Sequence, residues 1–236
     1  MTKEEVAKMI DHTQLAATAG RKAIETLCAE AREYHFCSVC VNPVNVPVAA
    51  SLLKDSGVKV CTVIGFPLGA DSSADKAAQT SDTIKAGADE VDMVIDFGAA
   101  KDGRFKDVGS DISAVVNAAR AEEKVLGKKI TVKVILETCY LTDEEIAECC
   151  LCAKHAGAAF VKTSTGFATP KDKDGKVLPN GATVHAVALM RKTVGSSMGV
   201  KASGGIHNAE ECKAMIDAGA TRIGASSGVK ILQGWN

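Results

Sequence analysis

Apolar residues along this chain gather in short, nearly unbroken runs, with longer amphipathic stretches between them. VCTVI (60–64), VDMVI (91–95), VKVILE (132–137) and AFVK (159–162) are rich in β-branched residues. They predict strands buried on both faces, as a parallel sheet requires. The intervening stretches repeat their apolar positions at helical spacing. Ile24, Leu27, Cys28, Ala31 and Tyr34 share one helix face, and Thr142 with Glu145 makes a capping box ahead of Ile146, Cys149 and Cys150.

One phrase recurs. IKAGADEVDMVI, AKHAGAAFVKTS and IDAGATRIGAS each run from helix through Ala-Gly-Ala to strand, and LKDSGVKVCTVI is a looser copy. The glycine suits the position just past a helix, where a left-handed backbone carries no Cβ penalty. Such short helix-to-strand connections indicate βα units. Eight strands are expected, near residues 8–11, 38–42, 59–65, 90–95, 130–137, 159–163, 199–202 and 222–225. The fold predicted is α/β, a (β/α)8 TIM barrel forming a single domain over 1–236. The alternative, an open doubly wound sheet, usually carries Gly-x-Gly-x-x-Gly after its first strand, and here that strand ends in DHTQL. Small-residue segments instead cluster late: TSTG, ASGG and GASSG follow the sixth, seventh and eighth strands, where barrels commonly bind phosphate. The polar stretch from Thr169 to Ala182, TPKDKDGKVLPNGA, reads as a surface loop.

Composition agrees with this picture. A length of 236 residues is typical of one barrel, and a hydrophobic content of 46% can fill its core. The net charge of −1, with signs interspersed, argues against nucleic acid or an anionic membrane as partner. MTKEEVAKMIDHT lacks the apolar segment of a signal peptide, and no run approaches a membrane span. A cytoplasmic protein is expected, its nine cysteines reduced thiols rather than a disulfide framework.

Charged residues inside the apolar runs carry the chemical information. Asp92 lies in EVDMVID, Lys133 in TVKVILE, Lys162 in AFVKTS and Lys201 in GVKASGG. Alternation gives Asp92, Val94 and Asp96 one face, Lys133, Ile135 and Glu137 another, and pairs Lys162 with Phe160. If these faces point inward, lysines and carboxylates converge in the upper barrel. Lys162 and Lys201 precede small-residue loops on adjacent strands, about 4.8 Å apart. An ordinary lysine, with a pKa of about 10.4, is neutral in only about one molecule in 2,500 at pH 7. A neighbouring cation and burial can lower such a value to about 7–8 and yield an amine nucleophile. A buried lysine pair is therefore a poor structural device but a route to a Schiff base, with Asp92 as acid/base.

Three small-residue loops offering N–H groups and hydroxyls to one point suggest an anion site, Thr165 and Gly166 included, and no Walker sequence points to a nucleotide triphosphate. The cysteines of CSVC and ECCLCAKH fit core packing better than redox or metal chemistry, and no histidine pair has a zinc spacing. His12 and Asp11 at the end of the first strand are candidates for facing a ligand.

Taken together, IDHTQL, GADEVDMVID, KVILET, VKTSTGF, GVKASGGI and RIGASSG resemble the deoxyribose-phosphate aldolases, a family of class I aldolases, over essentially the whole chain. The resemblance implies a (β/α)8 barrel that cleaves 2-deoxy-D-ribose 5-phosphate to acetaldehyde and D-glyceraldehyde 3-phosphate, with no metal or other cofactor. It implies Lys162 as the Schiff-base lysine, Lys201 as the lysine that tunes it and shuttles protons, and Asp92 as the acid/base aspartate. Gly166, Gly204, Gly205, Ser226 and Ser227 match phosphate-loop positions, and Asp11 and Thr13 match the substrate end of the first strand.

Some features depart from the family pattern. Phe167 stands where some members carry a basic residue, so the phosphate must meet backbone dipoles, Lys230 or the inserted loop. Gln14-Leu15-Ala16-Ala17 replaces the usual Leu-Leu-Lys-Pro. The chain closes on ILQGWN, without the terminal tyrosine some members use, which leaves proton transfer to water, Lys201 and Asp92. Barrels of this size often form dimers, so a homo-oligomer, a dimer first, is expected. The competing readings are an isomerase or lyase without a covalent intermediate, a non-catalytic sugar-phosphate-binding barrel and, more remotely, a metal-dependent aldolase.

Overall fold

The computed structural model describes residues 1–235. Eight parallel strands close into a barrel in sequence order: β1 (Ile10–Gln14), β2 (Ser38–Val41), β3 (Lys59–Ile64), β4 (Glu90–Val94), β5 (Thr131–Ile135), β6 (Phe160–Lys162), β7 (Gly199–Ser203) and β8 (Arg222–Ala225), which pairs back to β1. The crossover helices are α2 (Arg21–Glu33), α3 (Val46–Leu53), α4 (Ser73–Lys85), α6 (Phe105–Leu126), α7 (Asp143–His155), α8 (Val184–Val194) and α9 (Ala209–Asp217). Short helices α1 (Lys3–Ala7), α5 (Phe97–Lys101) and α10 (Gly228–Gln233) complete the set. No helix among the described residues is long and apolar enough to cross a membrane.

The Ala-Gly-Ala junctions behave as their residues require. Gly87, Gly157 and Gly219 take φ of 118°, 82° and 111° just past α4, α7 and α9, a region costly to residues with a Cβ. The buried face of α2 is Ile24, Leu27, Cys28 and Ala31, and Thr142 caps α7 in a reciprocal box with Glu145.

Strand alternation explains how charges come to interrupt apolar runs. One parity, including Val39, Val60, Val91, Val132, Val134, Val161, Val200 and Ile223, packs outward against the helices in one continuous core. The other parity points into the barrel, and there the usual layers of branched aliphatic residues give way to charge: Asp11, Glu90, Asp92, Lys133, Lys201 and Arg222 are all buried. Leu15, Cys40, Cys61 and Val63, with Phe66, form a small separate apolar cluster on the β1–β3 side.

Two expectations change. The first strand begins at Ile10, because the residues before it form α1, capped by Thr2 and Glu5; Asp11 and Thr13 are thus inside β1 rather than at or past its end. The polar stretch after β6 is a small hairpin as well as a surface excursion. Lys171 pairs with Val177, the N–H of Gly175 closes a turn onto the Asp172 carbonyl at 3.0 Å, and Asp172 Oδ1 accepts the N–H groups of Asp174 and Lys176. Its base is tied down where the Ala182 N–H reaches the Gly204 carbonyl at 3.0 Å.

Candidate active site

A cavity of about 330 Å³ opens at the C-terminal ends of the strands, the end where barrel chemistry takes place. Its lining joins the end of β1 and the loop after it (Thr13, Leu15, Ala16) to the three late loops (Thr165 to Phe167, Ser203 to Ile206, Gly224 to Ser226), and among the described residues Lys162 is the one charged side chain on it. Lys162 and Lys201 are register partners on β6 and β7, which sets them side by side.

Asp92 stands between them. Its Oδ2 accepts hydrogen bonds from Lys162 Nζ at 2.9 Å and Lys201 Nζ at 2.8 Å, and its Oδ1 from Lys133 Nζ at 2.8 Å and Cys61 Sγ at 3.2 Å. Lys201 also donates to Asp11 Oδ2. Beneath this layer Lys133 meets Glu90 Oε2 at 2.6 Å, and Arg222 Nη1 bridges Asp11 Oδ1 at 2.7 Å and Glu90 Oε2 at 3.0 Å. Three buried carboxylates (Asp11, Glu90, Asp92) thus face four cations (Lys133, Lys162, Lys201, Arg222), an excess of one positive charge. Lys162 has one carboxylate contact and shares that oxygen, whereas Lys201 and Arg222 each touch two carboxylates and Lys133 three.

The titration directions follow from these contacts. Burial pushes the Asp92 carboxyl up, but Lys133, Lys162 and Lys201 outweigh it and hold it well below the usual carboxylate range. Asp11 is held low in the same way by Lys201, Lys133 and Arg222 against burial, and Glu90 by Lys133 and Arg222. Burial disfavours the Lys201 ammonium, yet Asp11 and Asp92 keep it charged beyond the ordinary lysine range, and Lys133 is likewise held charged by Asp92, Cys61 and Glu90. Asp92 is therefore a carboxylate at neutral pH and Lys201 an ammonium, a standing proton donor beside Lys162.

The remaining residues expected at the site fall into two groups. Thr13, Gly166, Gly204, Gly205 and Ser226 line the cavity. Gly166, Gly204 and Gly205 have φ of 85°, 83° and 74°, and among the described residues their N–H groups meet no acceptor of the chain. Turned backbone of this kind suits an anion. Asp11, Thr165 and Ser227 are placed otherwise. Both Asp11 oxygens are occupied, by Ser38 Oγ (2.7 Å) and Arg222 on one side and Lys201 on the other, so it lies under the cavity as a support for Lys201. Thr165 faces the cavity, but its N–H and its hydroxyl both donate to Glu137 Oε2. Ser227 sits at the start of α10, outside the lining, as does Lys230. His12 points the other way, its Nε2 2.6 Å from Glu30 Oε2.

Glu137 is the residue that strand alternation misplaces. β5 ends at Ile135, and Glu137 adopts φ 54°, rare for a residue with a side chain, which turns it away from the Lys133 face. Its carboxylate clamps Thr165, whose hydroxyl oxygen accepts the Phe167 N–H at 3.0 Å, so one buried acid shapes the whole TSTGF turn. Burial raises the Glu137 carboxyl above its ordinary range, and the Thr165 bonds offset part of that rise. Glu137→Ala should strand two donors and lower stability by about 1–3 kcal/mol, measured by urea denaturation, with a rise in KM for a phosphorylated substrate. Glu90 and Arg222 were legible by alternation from Asp92 and Gly224, two residues away on the same inward faces; alternation put Glu137 on the Lys133 face but gave no sign of its clamp on Thr165.

Two sets of side chains could offer atoms to a metal ion, Cys40–Cys61–Asp92 and Asp11–Cys61–Glu90. Every carboxylate in them already pairs with lysine or arginine, so a dication would have to displace an ammonium.

Comparison with known proteins agrees with this geometry. Residues 5–234 match the DeoC/LacD family of aldolases. A deoxyribose-phosphate aldolase of Clostridium perfringens is 55% identical over 234 residues, 99% of this chain and 97% of that protein. One from Carboxydothermus hydrogenoformans is 56% identical over 229 residues, 97% of this chain and 94% of that protein. Among solved structures, the deoxyribose phosphate aldolase of Aeropyrum pernix, described as tetrameric, superposes with a TM-score of 0.85 at 33% identity, covering 98% of this chain and 91% of that one.

Proposed function

The chain belongs to the DeoC/LacD family of aldolases, and we infer that it cleaves 2-deoxy-D-ribose 5-phosphate reversibly to acetaldehyde and D-glyceraldehyde 3-phosphate through a Schiff base on Lys162. The observation that carries this reading is the single carboxylate oxygen, Asp92 Oδ2, shared by Lys162 and Lys201 directly under the cavity.

The steps follow from the charges. Lys162, as a neutral amine, adds to the C1 carbonyl of the open-chain sugar, and the Lys201 ammonium supplies the proton for the oxygen, which leaves as water. Asp92, fixed as a carboxylate, holds both nitrogens in line and passes protons between them. The resulting iminium draws the C2–C3 bonding electrons as that bond breaks. The C3 hydroxyl proton is lost toward Asp92, by way of a water, and glyceraldehyde 3-phosphate departs. The enamine left on Lys162 takes a proton at C2, and water then releases acetaldehyde and restores the amine. Asp11 keeps Lys201 aimed at Asp92. Phosphate is met by the N–H groups of Gly166, Gly204 and Gly205 and by Ser226, and the one lysine on the lining, Lys162, is the nucleophile.

A role in deoxyribose phosphate catabolism in the cytoplasm and assembly as a homodimer complete the reading. Incubated with 2-deoxy-D-ribose 5-phosphate, the purified protein should release acetaldehyde, seen by coupled reduction to ethanol, and EDTA should not slow it. Unphosphorylated 2-deoxy-D-ribose should lose about tenfold or more in kcat/KM, as its missing phosphate leaves the loop donors unpaired. No acetaldehyde from the phosphorylated sugar would refute the proposal.

A further inference from the structure

A second buried ion pair lies outside the charged layer. Lys76 of α4 is fully buried, and its Nζ meets Asp111 Oδ2 of α6 at 2.7 Å; Ser73 Oγ donates to the other Asp111 oxygen at 2.8 Å. A pair so far from water is costly unless the geometry needs it.

The need arises where β3 and β4 part. The two strands pair up to Ile64 opposite Met93. Beyond that, β3 turns off at Gly65, with φ 62°, and two ladder groups lose their strand partners. Side chains one turn apart on α4 replace them. Lys76 Nζ donates to the Val94 carbonyl at 2.9 Å, and Gln79 Oε1 accepts the Gly65 N–H at 2.8 Å. Gly65 must be glycine for this approach, since a Cβ there would stand 2.9 Å from Lys76 Cε. The loop then closes on itself through the Gly69 N–H and Gly65 carbonyl, 2.8 Å apart. It redocks on the end of β4, where a Cβ on Gly69 would lie 1.9 Å from the Ile95 carbonyl. The parted loop carries Phe66 to the back of two lining residues, Leu15 and Phe167. There Phe66 packs on the cluster of Leu15, Cys40, Cys61 and Val63 and meets the Phe167 ring edge-on at 5.3 Å.

We propose that Lys76 and Gln79, with Asp111 neutralising Lys76, are positioning residues of the reaction. They hold β3 apart from β4 so that Phe66 backs Leu15 and Phe167, two residues of the cavity lining, and they fix the end of the strand that bears Asp92. The proposal rests on the aldolase reading of the same cavity. It explains why an uninvolved helix spends a buried lysine on a backbone carbonyl two residues beyond the central carboxylate.

The test is a double-mutant cycle in kcat/KM. Lys76→Met/Asp111→Leu replaces the pair by apolar side chains, a change that buried ion pairs often tolerate without loss of stability. That variant should melt near the wild-type temperature yet lose about tenfold to a hundredfold in kcat/KM, the scale of a small misplacement at a reacting centre. Phe66→Ala should cost about tenfold alone but less than about twofold when added to the pair variant, because the two act through one wall. Wild-type kcat/KM in the pair variant, or losses that simply multiply, would overturn the proposal. Should the pair variant not fold, Gln79→Leu, which carries no charge, takes its place in the cycle and is read the same way. Borohydride trapping of the wild-type protein runs alongside: a missing adduct defeats the Schiff-base reading, whereas an adduct with multiplying losses defeats the positioning role alone.

Discussion

Lys162→Arg should abolish turnover while leaving the barrel folded. Arginine keeps a cation against Asp92 Oδ2, so the buried layer retains its three carboxylates and four positive groups. A guanidinium is never deprotonated in a protein and cannot add to a carbonyl. If Lys162 is the nucleophile, kcat should fall by at least about 10⁴-fold, the scale seen when a covalent nucleophile is removed. If Lys162 merely binds substrate by its charge, arginine should preserve most of kcat. The acetaldehyde-coupled assay and the melting temperature together separate these outcomes, and retention of more than about 1% of kcat contradicts a covalent role.

Asp92→Asn should damage both stability and rate. The substitution leaves two carboxylates among four cations and takes from Lys162 its one ion-pair partner. Breaking a buried charged network by removing one member costs about 3–5 kcal/mol. If Asp92 relays protons between Lys162 and Lys201 as proposed, its loss should lower kcat by about 10²–10⁴-fold. The stability part has a definite sign with pH. Asp92 is held below its unfolded value, so its contribution is complete above pH about 4 and fades as pH falls toward the folded value. The gap between wild type and variant in urea denaturation should therefore be widest near pH 7 and shrink by about 1 kcal/mol between pH 5 and pH 3. A gap independent of pH contradicts the charged role of Asp92.

Much of the architecture was legible before any coordinates. Ala-Gly-Ala junctions and two-sided apolar runs specify βα units locally, through backbone freedom at glycine and burial at valine and isoleucine. Strand alternation then placed Asp92, Lys133, Lys162 and Lys201 on inward faces. What alternation could not supply was the pairing across the barrel. Side-by-side placement of Lys162 and Lys201 suggests mutual repulsion, yet a carboxylate oxygen, Asp92 Oδ2, lies between them and accepts from both. Asp11 looked like a substrate contact because it seemed to end a strand; a start at Ile10 moves it under the cavity and makes it a partner of Lys201. Glu137 was expected on the Lys133 face, but its left-handed backbone breaks that alternation and leaves it bound to Thr165 instead. Lys76 and Gln79 escaped because their partners are backbone groups, which no side-chain pattern reveals. Phe167, which looked like a missing phosphate cation, is instead an aromatic lining residue backed edge-on by Phe66.

The most direct measurement is a peptide mass spectrum after borohydride reduction in the presence of acetaldehyde. One ethyl group should appear, on the peptide carrying Lys162, with turnover lost in proportion to its yield. An ethyl group on a different lysine, or full turnover surviving reduction with no adduct, would contradict a Schiff base at Lys162.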